Sequence, residues 1–419
     1  MKVLWVSLVE FPPLSKKLGK TPPAHCGWLY SSALAAKEVM PDLELGVLVY
    51  SYGKNFEKHI VDGITYYMIP SANMAKENSR QIDFCRKAID DFNPNLIHIH
   101  GTEYSLASAT CKANDRSVPM VANIQGLAIP YTRYADGGLS FKDKLLNITP
   151  LDFYRGTFIL NAKHSFKKRA RCEEFVLKKV GHVVGRTRWD RDHTLSVNPK
   201  LHYHFMNETL RSLFYEKPFW SMEKCQPHTI FVSNNSSALK GAHQVLKALP
   251  LILERYPDTK LRFCGSNVMN NDLKSLIRMQ GYHIYLRKLV KTLELQNHVE
   301  FLGQLSEAEM KHAFLDANVY VLPSSIENSP NSLCEAQILG VPAVAAYVGG
   351  TSDLVKDGET GYLYRYEEIE QLAQIVMSLF AQSDLKKISE NEMAAASMRH
   401  DRGTNAATLK SIYTEILGE

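Results

Sequence analysis

The sequence predicts an α/β chain of two doubly wound, Rossmann-like parallel sheets in tandem, facing a central cleft. Three observations carry that expectation. Short apolar, β-branched runs recur along the 419 residues, amphipathic stretches separate them, and the pattern restarts after a segment without strand periodicity. Apolar strands that alternate with helical segments mark parallel β-α-β units covered on both faces.

In the first half the strand-like runs are KVLWVS from Lys2, LELGVLVYSY from Leu43, ITYYMIP from Ile64, LIHIHG ending at Gly101, VPMVANIQG ending at Gly126, and HVVGRT from His182. Helical patterns at Trp28–Val39 and Arg80–Phe92 lie between them. The second half reads HTIFVSN, helix GAHQVLKALPLILERY, LRFCGSN, HVEFLGQL, ANVYVLPSS, helix SLCEAQILG, VPAVAAY and GYLYRY. Several of these strands end in small or polar residues, as expected where loops at the carboxyl edge of a sheet form a ligand crevice. Residues 209–228 break the pattern. The expected domains are therefore 1–207, 208–395, and a terminal helical segment, 396–419, that returns to the first domain.

Composition removes several classes of function. Hydrophobic residues make up 45% and charged residues 22%, an ordinary globular mixture. A net charge of +5 is too small to argue for nucleic acid. The seven cysteines are scattered and never form C-x-x-C, which suits free thiols in a reducing compartment. The apolar run at the N-terminus is too short and too soon broken by proline for a leader or a membrane span, so a cytoplasmic chain is expected. No G-x-G-x-x-G follows the first strand and no P-loop occurs, which excludes the usual dinucleotide and triphosphate cradles.

The chemistry concentrates in VLPSSIENSPNSLCEAQILGVPAVAAYVGGTSDLVKDGETGYLY, residues 321–364. A strand feeds a polar turn, and a helix is expected with Ser329 as N-cap and Pro330 at its first position. The amides of Asn331, Ser332 and Leu333 would then be free to bind a phosphate or sugar oxygen. Glu327 and Glu335 flank that helix start. A carboxylate grips two adjacent hydroxyls through charged hydrogen bonds of about 1.5–3 kcal/mol each. The plainer alternative is a solvated loop acid and a helix-dipole partner worth about 0.3–1 kcal/mol.

This segment resembles the E-x7-E signature of family 4 glycosyltransferases, retaining enzymes of the GT-B fold, and the stretch from LGVPAVAAY to GETGYLY is similar to the family's continuation. The resemblance covers the C-terminal half closely and the N-terminal half more loosely. It implies that Glu335 holds the ribose of a nucleotide diphosphate sugar and that Glu327 contacts the transferred hexose, with the Asn331–Leu333 amides placing sugar and diphosphate.

FVSNNSSALKGAHQVLKAL, from Phe231, resembles the family's R-x4-K pair. The resemblance makes Lys240 the lysine expected to neutralise the departing diphosphate, and Asn235 stands where the family has arginine. An amide supplies no charge, so either another cation such as Arg186, Arg188 or Arg262 compensates, or the diphosphate is stabilised less strongly. Gly265, after the next strand, is a further donor-side candidate, and Gly27 sits where the family often has a paired-glycine turn.

Gln125 occupies the position of a family histidine. It is an acceptor-side and catalytic candidate that can hydrogen-bond but cannot serve as a general base. His98 and His100 alternate along one strand; His98 is expected to be packed, and His100, at the strand end, to face the cleft. The one D-x-D, Asp190-Arg191-Asp192, begins a helical stretch and is read as capping, so no metal and no other cofactor is expected.

Segment 163–179 carries seven basic residues and two acids, and with Phe153, Tyr154, Phe158 and Phe166 nearby it suits an anionic membrane surface or a solvated helix face. The resemblance implies a retaining, metal-independent transfer of a hexose or N-acetylhexosamine to a glycan or lipid-linked acceptor in envelope polysaccharide synthesis. The alternatives are an inactive nucleotide-sugar-binding protein and a GT-B epimerase.

Overall fold

The computed structural model describes every residue except 22–26, 52, 72, 156–158 and 419, and only the backbone of 153, 155 and 274. Cys26, the Phe153 side chain and Phe158 thus lie outside the described residues. The chain divides into two compact units: Met1–Pro130 with Ser165–Ser212 and His400–Glu419, and Tyr131–His164 with Leu213–Arg399. The division falls at Ser212, not after residue 207. Residues 131–164, expected in the first domain, belong to the second unit.

The first unit is an eight-stranded sheet of β1 (Lys2–Ser7), β2 (Glu44–Ser51), β3 (Glu57–Val61), β4 (Ile64–Pro70), β5 (Leu96–His100), β6 (Met120–Asn123), β7 (His182–Gly185) and β8 (His202–Phe205). Their spatial order is β3-β4-β2-β1-β5-β6-β7-β8, and only β3 runs antiparallel to its neighbour. The outer strands β3 and β8 are additions to the expected set.

Side chains alternate across β1. Leu4 and Val6 join one buried cluster with Ile97 and Ile99, while Val3 and Trp5 join another on the opposite face. The last helix, Arg402–Leu417, completes that second face with Leu409, Ile412 and Tyr413. Trp5 Nε1 donates to the Tyr413 hydroxyl at 2.9 Å, which lies 2.6 Å from His98 Nδ1.

One buried carboxyl gives this unit a pH dependence. Glu173, in the helix Ala162–Lys179, accepts the Ala128 amide at 2.7 Å and the Ile129 amide at 2.9 Å. Burial, more than the nearby Glu103 charge, pushes its carboxyl up to about 8 against the pull of those amides. A raised carboxyl binds its proton more tightly in the folded chain. Its contribution to stability is complete below the ordinary carboxylate range and disappears as the pH rises through about 8. Denaturant titrations between about pH 5 and pH 9 should show stability falling by up to about 1.4 kcal/mol per pH unit, and Glu173→Gln should flatten that slope.

The second unit is a six-stranded, fully parallel sheet of β9 (Thr229–Val232), β10 (Lys260–Cys264), β11 (Val299–Gly303), β12 (Val319–Leu322), β13 (Ala343–Ala346) and β14 (Tyr362–Tyr364). The spatial order is β11-β10-β9-β12-β13-β14. The order reverses between β9 and β12, which pair through Val319–Ile230 and Tyr320–Phe231. Ligands of open α/β sheets bind at such a switch point, outside the carboxyl ends of the strands. The loops after β9 and β12 carry Lys240 and Glu327.

Among the described residues no helix is long and apolar enough to cross a membrane. The six described cysteines are free and buried.

Candidate functional site at the switch point of the second sheet

The two switch-point loops are fixed against each other by their backbones. After β9 the chain makes a 3₁₀ turn, Ala238–Lys240, and passes through Gly241 at φ 69° before the helix Ala242–Leu253. Gly241 is required there: a Cβ would lie 1.7 Å from the Pro323 carbonyl oxygen. The Ser325 amide donates to the Leu239 carbonyl at 2.8 Å, closing the β12 loop onto the β9 loop. Gly349 acts similarly behind Glu327. It sits at φ 53°, and a Cβ would meet the Glu327 carbonyl oxygen at 1.9 Å, while the Gly350 amide donates to that oxygen at 3.0 Å.

This scaffold brings Lys240 and Glu327 together. Lys240 Nζ donates to Glu327 Oε1 at 2.6 Å, and Ser324 Oγ donates to the same oxygen at 2.7 Å. The Glu327 side chain is 8% exposed and that of Lys240 is 30% exposed, so the carboxylate lies deep and the ammonium reaches outward.

Glu335 is buried in the second turn of the helix Asn331–Leu339. Tyr320, the second residue of β12, ties that helix to the β9 loop: its hydroxyl donates to Ser332 Oγ at 2.8 Å and lies 3.0 Å from Ser233 Oγ. Burial raises the Tyr320 hydroxyl well above its ordinary pKa, and the charges of Glu327 and Glu335 both add to the shift. Lys240, Glu327 and Glu335 therefore belong to one neighbourhood.

The helix start differs from expectation. Pro330 is itself the N-cap, in an extended conformation with ψ 117°, so the helix begins at Asn331 and Ser329 lies outside it, buried. The Leu333 amide donates to the Pro330 carbonyl at 3.0 Å and is not available to a ligand. The amides of Asn331 and Ser332 have no hydrogen-bond partner among the described residues. Those two remain of the expected three.

Asn235 also departs from its expected role. It is fully buried, and both ends of its amide engage Ser266: Nδ2 donates to the Ser266 carbonyl at 2.8 Å and Oδ1 accepts the Ser266 amide at 2.9 Å. Gly265, at φ 121°, makes this possible, since a Cβ there would lie 2.2 Å from Asn235 Oδ1. Asn235 thus pins the β10 loop to the β9 loop, and one of its two amide N–H donors is committed there. Neither Arg186 nor Arg262 replaces the missing charge. Arg186, in the first unit, is buried against Glu208 at 2.5 Å and donates to Asn123 and Ile124. Arg262 is held by Glu300 at 2.8 Å and by Gln226.

Residues that sequence patterns did not single out complete the site. The excursion 131–164 packs onto the Lys240 loop: Ser325 Oγ donates to the Tyr134 carbonyl at 2.9 Å, and a Cβ on Gly137 would meet the Ala238 carbonyl oxygen at 2.2 Å. His243 holds the same turn, with Nε2 3.0 Å from the Gly137 carbonyl. The adjacent Gly137 and Gly138, both at positive φ, were the available signal.

In the first unit, Gln125 is half-buried beyond β6 and donates to Asn123 Oδ1 at 3.3 Å. Gly27 is the first residue of the helix Gly27–Val39. His98 is packed, and burial lowers it to about 3. His100 does not present itself as expected. Its ring lies 4.5 Å from Trp5 and 4.1 Å from His98, buried, and desolvation holds it well below the usual histidine range. Asp190 of the D-x-D is buried, accepting the Arg186 amide at 3.0 Å and the Tyr203 hydroxyl at 2.5 Å. Among the described residues no group of three or more His, Cys, Asp or Glu side chains is placed to hold a metal.

Residues 218–396 match the family model described as glycosyl transferases group 1. The chain is 30% identical over 185 residues to the D-inositol 3-phosphate glycosyltransferase of Streptomyces griseus, covering 43% of this chain and 38% of that protein. It is 27% identical over 194 residues to the phosphatidyl-myo-inositol mannosyltransferase of Mycobacterium tuberculosis, covering 45% and 47%. The matches thus span less than half the length of these curated relatives. Among solved structures, the sucrose-phosphate synthase of Thermosynechococcus elongatus superposes with a TM-score of 0.72 at 14% identity, over 100% of this chain and 99% of that one. HepE of Anabaena, solved with UDP-glucose, gives 0.68 at 14% identity, over 99% and 100%. The fold is GT-B, and residues 218–396 are similar to the glycosyl transferases group 1 domain.

Proposed function

We propose that the chain is a retaining family 4 glycosyltransferase that moves a hexose or N-acetylhexosamine from a nucleotide diphosphate sugar to a glycan or lipid-linked acceptor, without a metal ion. The observation that carries this reading is the Lys240–Glu327 pair at the switch point of the second sheet, with Glu335 in the helix that follows. Cleavage of the sugar–phosphate bond leaves negative charge on the diphosphate, and a pre-placed ammonium stabilises it more in the transition state than in the ground state. Glu327, held by Lys240 and Ser324, would orient the sugar through its hydroxyls, and Glu335 would accept from the ribose. UDP-sugars are the first donors to test, because HepE was solved with UDP-glucose.

Envelope polysaccharide synthesis at the cytoplasmic face of a membrane is the setting this reading favours. The basic helix Ala162–Lys179 would make the peripheral contact.

A transfer assay across UDP-sugars, with the anomeric configuration of the product read by NMR, tests the proposal. An α-linked product from an α-configured donor is expected; a β-linked product would exclude retention. Glu335→Ala should weaken donor binding about 10–100-fold, as expected for losing charged hydrogen bonds to hydroxyls, measured by calorimetry. A second reading, a nucleotide-sugar-binding protein without turnover, is favoured by one observation: neutral Asn235 stands where the family has arginine, and its amide is clamped onto Ser266. Tight donor binding with neither transfer nor hydrolysis would select it.

A further inference from the structure

The first unit contains an open pocket of about 460 Å³ that the donor site does not use. Lys76 and Glu77 approach it from the loop after β4, Lys112 from the helix Ser105–Ala113, and Lys168, Arg171 and Phe175 from the helix Ala162–Lys179. We propose that this pocket binds the phosphate group of a phosphorylated sugar, polyol or lipid head group.

The lining carries four cations against one carboxylate. That carboxylate is already committed: Glu77 accepts from Lys112 and, at 2.7 Å, from Ser108 Oγ. Burial opposes the Glu77 charge, but these bonds outweigh it and hold its carboxyl below the usual range. Lys76, Lys168 and Arg171 have no ion-pair partner among the described residues. Other cations of the same helix do have partners. Lys178 pairs with Glu174 at 2.5 Å, Lys163 pairs with Asp136 at 3.1 Å, and Arg169 lies 4.0 Å from the Phe166 ring and donates to the Tyr104 hydroxyl. Three cations without an ion-pair partner among the described residues thus line the concavity.

A concave wall of one charge sign concentrates the potential that attracts a counter-ion. Two ammonium groups and a guanidinium supply point charges and a planar fork, the combination that suits phosphate oxygens. Lys112 Nζ lies over the Phe175 ring, 5.0 Å from its centroid, so the ring forms part of the floor beneath the cations. The volume falls within the range of about 300–1,000 Å³ typical of small-molecule sites. Identifying this ligand as the sugar acceptor rests on the transferase reading; the site itself does not.

The test uses the full chain, sn-glycerol 3-phosphate as soluble probe in calorimetry at low salt, and phosphatidylglycerol vesicles in sedimentation. Lys168→Glu/Arg171→Glu changes two exposed side chains, and its melting curve should match wild type. Glycerol phosphate binding that falls at least about tenfold in the double variant, and is unchanged in Lys240→Ala, supports a site for soluble phosphorylated compounds. Vesicle binding that is lost in the double variant and competed away by high concentrations of glycerol phosphate supports a lipid head group. The proposal is overturned if neither probe binds wild type, if charge reversal leaves binding intact, or if only uncompeted vesicle attraction is seen. UDP-sugar binding measured on the same variants reports separately on the donor site, so failure of the transferase reading is distinguishable.

Discussion

Replacing Lys240 with alanine should lower kcat by roughly 10²–10³-fold, the size found when one pre-placed donor to a developing charge is removed, with a smaller effect on donor Kd. The side chain is a cation positioned at the switch point, whereas Asn235 is neutral and clamped onto Ser266, and Arg262 is held by Glu300. Loss of Lys240 also leaves Glu327 with Ser324 as its remaining partner at Oε1 among the described residues, so the carboxylate should lose its fixed orientation. Steady-state kinetics together with calorimetric donor binding checks the split between kcat and Kd. Lys240→Arg, which keeps the charge and alters its geometry, should recover part of the rate.

Gly241→Ala should be the most disruptive single methyl group in the second unit. Its φ of 69° costs an L-residue about 1–2 kcal/mol. A contact of 1.7 Å with the Pro323 carbonyl then forces the β9 and β12 loops apart, at about 1–3 kcal/mol for overpacking. Together, roughly 2–5 kcal/mol of stability should be lost, and turnover should fall with it because Lys240 is the adjacent residue. Gly358→Ala is the control. Its φ is 73° but nothing lies within 4 Å of the added Cβ, so only the conformational cost should appear in denaturant unfolding.

The contrast between those two glycines shows what could be read from the sequence. Both parallel sheets were legible because their inner strands are continuous apolar runs, buried on both faces. β3, EKHIV, and β8, HYHF, were not, since they lie at the sheet edges and their polar residues hide the strand period. The excursion 131–164 was assigned to the wrong unit because its attachment to the second unit uses backbone groups: the Gly281 amide on Asp152 at 2.9 Å and the Tyr134 carbonyl on Ser325. Backbone contacts leave little trace in residue type.

The same division holds at the site. The grouping of Lys240, Glu327 and Glu335 was expected from the resemblance to the E-x7-E and R-x4-K patterns, since the spacing alone fits a solvated loop acid and a helix-dipole partner equally well. Gly241 and Gly349 act by shaping the loops and Ser324 through its hydroxyl on Glu327, contacts that residue type alone does not announce. His100 was misread because position at a strand end says nothing about Trp5, which covers it from β1. Asn235 was identified as a departure, but its role as a clamp on Ser266 required the geometry of Gly265.

The central claim is that the carboxyl edge of the second sheet holds a nucleotide diphosphate sugar through Glu335 and Lys240. Isothermal titration of the wild-type chain and of Glu335→Ala against a panel of nucleoside diphosphate sugars tests it most directly. Saturable one-to-one binding of at least one donor to wild type is expected, with an affinity loss of about 10–100-fold in the variant. Equal affinity of both proteins for every donor that binds, or no binding of any donor to wild type, would contradict it.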